Sequence, residues 1–166
     1  MKRFQLLLVV GLVLLFAGSA QAKAAYKGKV QMIETAEVIA VVEITSVETA
    51  SVKGTYETYR QKASAKIDKV LKGKLSGSVA LYGDGDFICA KCHFQAGRYL
   101  VFLQRDGELL TGNNWHLSIR KITGNSEEEV EWFDDKKIFE NQVLLLSDVL
   151  NEIKGEIARP KQSKRR

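Results

Sequence analysis

The stretch Gly97-Arg98-Tyr99-Leu100-Val101-Phe102-Leu103 is the clearest strand signal in the chain. Its aromatic and branched side chains favour an extended backbone, and its glycine marks the point where the strand begins. An Asp106-Gly107 pair follows, which is typical of a hairpin turn. The apolar pair Leu109-Leu110 is therefore predicted to return beside this strand.

Further strand patterns lie upstream. Val38-Ile39-Ala40-Val41-Val42-Glu43-Ile44 is apolar at odd and even positions, which predicts a strand buried on both faces. Apolar and polar residues alternate over 63–68, which predicts a strand with one face in water. A short strand is predicted over 79–81, where it ends at the glycine-rich 83–86.

Two weaker strand patterns lie downstream. Trp115, Leu117 and Ile119 alternate with polar residues, and Val130 and Trp132 indicate one further short strand. The pattern as a whole predicts about five principal strands joined by tight turns. Such apolar strands need covered edges, so we expect a mainly β chain built as a small closed antiparallel barrel.

Helix signals are few. Residues 30–35 suit one or two turns before the first strand. A longer helix is predicted near the C-terminus as an extension of the barrel, with Ser147 as its N-cap and Pro160 just after its end. Residues 143–146 fit either a strand or the start of this helix. The residues of its apolar face are Val149, Leu150, Ile153 and Ile157.

Residues 1–22 have the features of a secretory leader. Lys2 and Arg3 precede an apolar run, and Ala20-Gln21-Ala22 matches the small-residue pattern of a cleavage site. Cleavage is therefore predicted before Lys23. The apolar run is short for a bilayer, which takes about 20 residues to span. We expect an exported protein, periplasmic or extracellular, with no transmembrane segment after cleavage.

The remaining chain divides into three predicted parts: a barrel over 23–124, an extension with the C-terminal helix over 125–158, and a basic tail over 159–166. Apolar residues make up 45% and charged residues 27%, which is typical of a globular protein. The net charge of +5 falls to +3 without the leader, which argues against nucleic acid as a partner. No catalytic motif is present, so we expect no enzyme and no required cofactor.

The sequence Cys89-Ala90-Lys91-Cys92-His93 carries the sharpest chemical signal. An exported protein favours a local disulfide between Cys89 and Cys92. The same pattern is the attachment signature of haem c, with His93 as an axial ligand and His116 as a possible second one. Thiol–disulfide exchange and a zinc site formed by both cysteines and both histidines are two further alternatives.

The order of these segments resembles the netrin-like domain of tissue inhibitors of metalloproteinases, which also occurs in small exported bacterial proteins. Val70-Leu71-Lys72-Gly73 and the block from Cys92 to Phe102 carry the resemblance, which spans about residues 30–123. It implies an OB-like five-stranded barrel.

The chain departs from that family at its predicted start. The inhibitors begin with a zinc-chelating cysteine, whereas here the mature start is Lys23, and two cysteines allow at most one disulfide. We therefore expect a non-enzymatic binding protein that contacts a protein or an envelope component, with a haem c protein as the alternative.

Overall fold

The computed structural model describes residues 26–86, 91–124, 126–134 and 137–160, of which 137–139 are described by their backbone only. The predicted leader and the basic tail after Pro160 lie outside these residues. The described chain is mainly β and ends in a helix. The strands are β1 (Val38–Lys53), β2 (Thr58–Lys72), β3 (Ser78–Gly85), β4 (Gly97–Asp106), β5 (Leu109–Gly112), β6 (Ile119–Thr123), β7 (Glu129–Asp134) and β8 (Lys137–Leu145). The helices are α1 (Lys29–Thr35) and α2 (Leu146–Ala158), and a 3-10 turn occupies Trp115–Ser118.

The first five strands form a closed ring of hydrogen-bonded neighbours in the order β1-β2-β3-β5-β4, with β4 pairing back onto β1. The closing pair is antiparallel and runs from Val38 opposite Leu103 to Ile44 opposite Gly97. The two strands with the strongest apolar patterns in the sequence therefore lie side by side. The predicted hairpin at Gly107 is confirmed, because β5 pairs antiparallel with β4.

One pair in the ring departs from the predicted antiparallel arrangement. Strands β3 and β5 run parallel, with Leu81 opposite Leu110 and Tyr82 opposite Thr111. The prediction of an antiparallel arrangement throughout is wrong here for a geometric reason. Strand directions cannot alternate around a closed ring with an odd number of strands, so at least one neighbouring pair must be parallel.

Side chains of β1 and β4 point alternately into two hydrophobic cores. Val38, Ala40 and Val42 pack with apolar residues from all five ring strands in the first core. Ile39 and Val41 pack on the opposite side with residues of α1, α2, β6 and β7 in the second core. The prediction that this strand is buried on both faces is confirmed.

Strands β6, β7 and β8 extend the sheet outward from β4. Glu152 of α2 ties this extension to the N-terminal helix. Its carboxylate accepts a hydrogen bond from Trp132 Nε1 at 2.8 Å and forms an ion pair with Lys29 Nζ at 2.6 Å. The undecided residues 143–146 are divided between two elements, since β8 ends at Leu145 and α2 begins at Leu146.

Two local predictions are wrong. The strand predicted from Trp115 begins only at Ile119, because Trp115 has a φ of 47° and the chain forms a 3-10 turn through Ser118. Ser147 is not the N-cap of α2. The N-cap is Leu145, two residues earlier, and no side chain caps the helix; the Leu146 amide donates to the backbone oxygen of Glu128. Tertiary contacts decide both positions.

Neither of the two described helices has the length and apolar character needed to cross a bilayer.

A buried carboxylate joins two turns at one end of the ring. Asp106, at the end of β4, is 1% exposed and accepts hydrogen bonds from the Thr55 amide at 2.6 Å and from the Tyr59 hydroxyl at 2.9 Å. The amides of Tyr56 and Glu57 donate to it as well. Burial alone would raise the pKa of Asp106, but these hydrogen bonds outweigh it and lower the pKa.

The substitution Asp106→Asn should lower the free energy of unfolding at pH 7 by about 2 kcal/mol, since charged acceptors form stronger hydrogen bonds. A carboxylate whose pKa is lower in the folded than in the unfolded protein stabilises the fold at pH values above its unfolded-state pKa. This stabilisation is lost as the pH falls through the folded-state pKa. Urea unfolding should therefore show the difference from wild type shrinking below about pH 4. Glu108→Gln, an exposed carboxylate in the same hairpin, is the control. An unchanged difference at pH 3 would contradict the assignment.

Candidate functional site

The segment after the undescribed residues 87–90 closes one end of the ring. The Asp84 amide donates to the backbone oxygen of Cys92 at 2.8 Å. Gln61 of β2 holds Phe94 as a paired strand would: its Oε1 accepts from the Phe94 amide at 2.7 Å, and its Nε2 donates to the Phe94 oxygen at 3.1 Å. Phe94 and Cys92 are thereby fixed in the core of the ring.

Glycines allow this close approach. A Cβ atom at Gly83 would collide with the Cys92 backbone oxygen and the Phe94 ring, and one at Gly112 would lie 2.9 Å from Cys92 Sγ. In the sequence, glycines at these two positions are typical of turns and indicate no such contact. In the structure both glycines pack directly against the segment that contains Cys92.

Gly83→Ala should destabilise the fold by about 1–3 kcal/mol, because the clash is with backbone that cannot move freely. Gly155→Ala is the matched control, since no atom lies within 4 Å of a Cβ there and the site is in a helix. That control should stabilise the protein by about 0.5–1 kcal/mol. Thermal or urea unfolding of both variants makes the comparison, and an equal effect at the two sites would contradict the described packing.

The sulfur of Cys92 is buried and has no disulfide partner among the described residues. Burial, and next the charge of Asp84, raise the pKa of this thiol to about 12, although a hydrogen bond with the Gly112 backbone acts in the opposite direction. Such a thiol is almost entirely protonated at neutral pH, which opposes a role in thiol–disulfide exchange. Cys89 lies outside the described residues, so the disulfide between Cys89 and Cys92 stays a prediction.

The variant Cys89→Ser leaves Cys92 as the only thiol. At pH 8 this thiol should react with an aromatic disulfide reagent at least tenfold more slowly in the folded protein than in urea, because the reaction needs an exposed thiolate. The release of reagent thiolate measures both rates. Equal rates in the two states would show that the sulfur is accessible and that this description of the site is wrong.

The two histidines have different surroundings. His93 is exposed, and its Nδ1 hydrogen-bonds Asp84 Oδ2 at 2.9 Å. His116 packs edge-on against Tyr26, and burial followed by the charge of Arg120 lowers its pKa. Within the described residues no group of three or more potential ligands is placed to hold a metal ion. Cys92 also fits haem c poorly, because its sulfur is buried in the first core and packs against Gly112.

A cavity of about 180 Å³ lies beside this segment, at the same end of the ring. Its wall combines one cation, one carboxylate and several neutral polar groups with two aromatic residues. Among the residues that line the cavity are Lys27, Glu57, Tyr59, Gln104, Asn113 and Trp115.

The N-terminal segment reaches this cavity because two asparagines clasp it. Asn114 pairs with the backbone of Lys27 as a strand would, accepting from its amide and donating to its oxygen, each at 2.9 Å. Asn113 donates from Nδ2 to the Met32 oxygen at 3.0 Å. In the sequence, an Asn-Asn pair after a glycine is typical of a turn. Their partners lie more than 80 residues away, and no local pattern reveals such contacts.

The sequence was also compared with known proteins. No protein-family model matches the chain, and no curated protein has a similar sequence.

Proposed function

We propose that this chain is an exported, non-enzymatic binding protein whose five-stranded ring is an OB-like barrel. In this proposal the cavity end of the ring contacts a protein or an envelope component. The β1–β2 and β4–β5 turns are the loops with which barrels of the OB type bind their ligands. The resemblance to netrin-like domains supports the same fold.

The observation that carries the proposal is the junction of these two turns. Asp106 at the start of the β4–β5 turn holds three successive backbone amides of the β1–β2 turn. Tyr56, at the tip of the latter, is 86% exposed although its backbone is fixed. An exposed aromatic ring on a rigid support is a typical contact residue in protein interfaces, because it adds contact area at little entropic cost.

The cavity adjoins this turn through Glu57 and Tyr59, which line it. Burial raises the pKa of Tyr59, and its hydrogen bond to Asp106 adds to the effect, so the phenol stays neutral. The cavity end of the ring therefore combines the exposed side chain of Tyr56, held on a rigid turn, with a polar cavity. This arrangement suits recognition of a projecting side chain.

Site-specific photocrosslinking in the exporting cell tests the proposal. A benzophenone side chain replacing Tyr56 should give a discrete, light-dependent adduct with one partner. The matched control replaces Val143, which is 60% exposed on β8, outside the ring. Equal labelling at the two positions, or none at Tyr56, would contradict a binding role for the cavity end.

The intact mass of the exported protein tests the remaining parts of the proposal in one measurement. We expect a chain beginning at Lys23 with two hydrogen atoms fewer than its reduced form, as a disulfide between Cys89 and Cys92 requires. A mass increased by one covalently bound haem would establish the alternative instead.

A further inference from the structure

Lys27 places a half-buried ammonium group at the wall of the cavity. Its Nζ donates to the backbone oxygen of Asn113 at 2.7 Å. A lysine ammonium has three N–H donors, so this single bond leaves two of them unused. Among the described residues Lys27 forms no ion pair, and burial alone lowers its pKa.

The position of this cation is imposed by the fold. Asn114 fixes the backbone of Lys27 from both sides, with two hydrogen bonds of 2.9 Å. The side chain cannot leave the cavity wall without loss of this clasp or of its bond to Asn113. A partly desolvated charge without a counter-ion is unfavourable, and an incoming anion would relieve that cost.

Other groups of the wall suit the same ligand. Gln104 is one of the residues that line the cavity, and its side-chain amide forms no hydrogen bond with any described residue. Glu57 lines it too, but its carboxylate lies against Gly85, and it forms no ion pair with Lys27 in the described part of the chain. The Lys27 ammonium and the Gln104 amide can therefore both donate hydrogen bonds to the two oxygens of a negatively charged group.

The size of the cavity limits the ligand to a small group. Its volume of about 180 Å³ is close to that of an engineered cavity of ~150 Å³ that admits one benzene molecule. This is enough for the carboxylate end of one side chain, and too little for a nucleotide or a sugar chain. Trp115 closes one side of the cavity, where it also contacts Tyr26 edge-on, with the ring centroids 5.5 Å apart.

We propose that the cavity binds a carboxylate group, with Lys27 Nζ as its ion-pair partner and Gln104 as a second donor. The proposal rests on the proposed binding function and names the chemistry that the partner presents. The carboxylate belongs either to a peptide chain or to a small free acid.

The two tryptophans make the experiment sharp, because one lines the cavity and the other is buried in the second core. In a ¹⁵N-labelled full chain, the indole signal of Trp115 reports on the cavity and that of Trp132 is the internal control. Sodium acetate and acetyl-Gly-Asp-Gly-amide are titrated separately, with sodium chloride at equal ionic strength as the blank. We expect a saturable shift of the Trp115 signal alone.

Tighter binding of the peptide than of acetate assigns the carboxylate to a peptide chain, and equal or tighter binding of acetate assigns it to a free acid. Lys27→Met, which keeps the length of the side chain but removes its charge, should weaken either affinity on the order of tenfold or more. Lys74→Met, at an exposed lysine of the β2–β3 loop, should leave it unchanged. No saturable shift in the wild type, or full affinity in Lys27→Met with a native spectrum, overturns the proposal.

Crosslinking separates this proposal from the broader one. If the Tyr56 adduct forms in the wild type and loses most of its yield in Lys27→Met, both proposals stand. If the adduct forms equally in the two proteins, the carboxylate proposal fails and the binding function stands. If no adduct forms while the Trp115 signal still responds to acetate, the binding function at the cavity end of the ring fails instead.

Discussion

The pairing of β1 with β4 is the constraint on which the rest of the structure depends. It closes the ring and brings together the two strands that are apolar at successive positions, from Val38 to Ile44 and from Gly97 to Leu103. Because side chains alternate along a strand, each contributes to both hydrophobic cores. A ring of five strands then requires one parallel pair, and β3 with β5 supplies it. The cavity end of the ring lies where β3, β5 and their turns meet.

The sequence predicts those parts of the fold in which local pattern and tertiary packing agree. The β1 and β4 runs are apolar over so many positions that no other environment suits them, and the Asp106-Gly107 turn has a specific local geometry. Prediction fails where a distant contact decides. Trp115 lies in an alternating pattern but turns out of the sheet, and α2 begins at Leu146, whose amide donates to the backbone oxygen of the distant Glu128.

The same distinction between local pattern and distant contact applies to the residues of the candidate site. Cys92 and His93 form a recognisable motif, so the sequence locates this segment, although not the burial that raises the pKa of the Cys92 thiol. Lys27, Gln61 and Asn114 carry no motif at all. Gln61 and Asn114 act through side-chain amides that hydrogen-bond to the backbone of distant residues, as a neighbouring strand would. Every asparagine and glutamine carries such an amide, so the residue type alone does not indicate which of them will do this.

The clasp between Asn114 and Lys27 joins residues 87 positions apart, and this separation has a consequence for biogenesis. A ribosome releases Lys27 long before Asn114, and it likewise completes β1 and β2 before β4 exists. Strand β1 therefore lacks the strand that closes the ring until residues 97–106 have been made. An unpaired apolar strand edge is a template for aggregation, so the long separation between the two closing strands exposes the unfinished chain to that hazard.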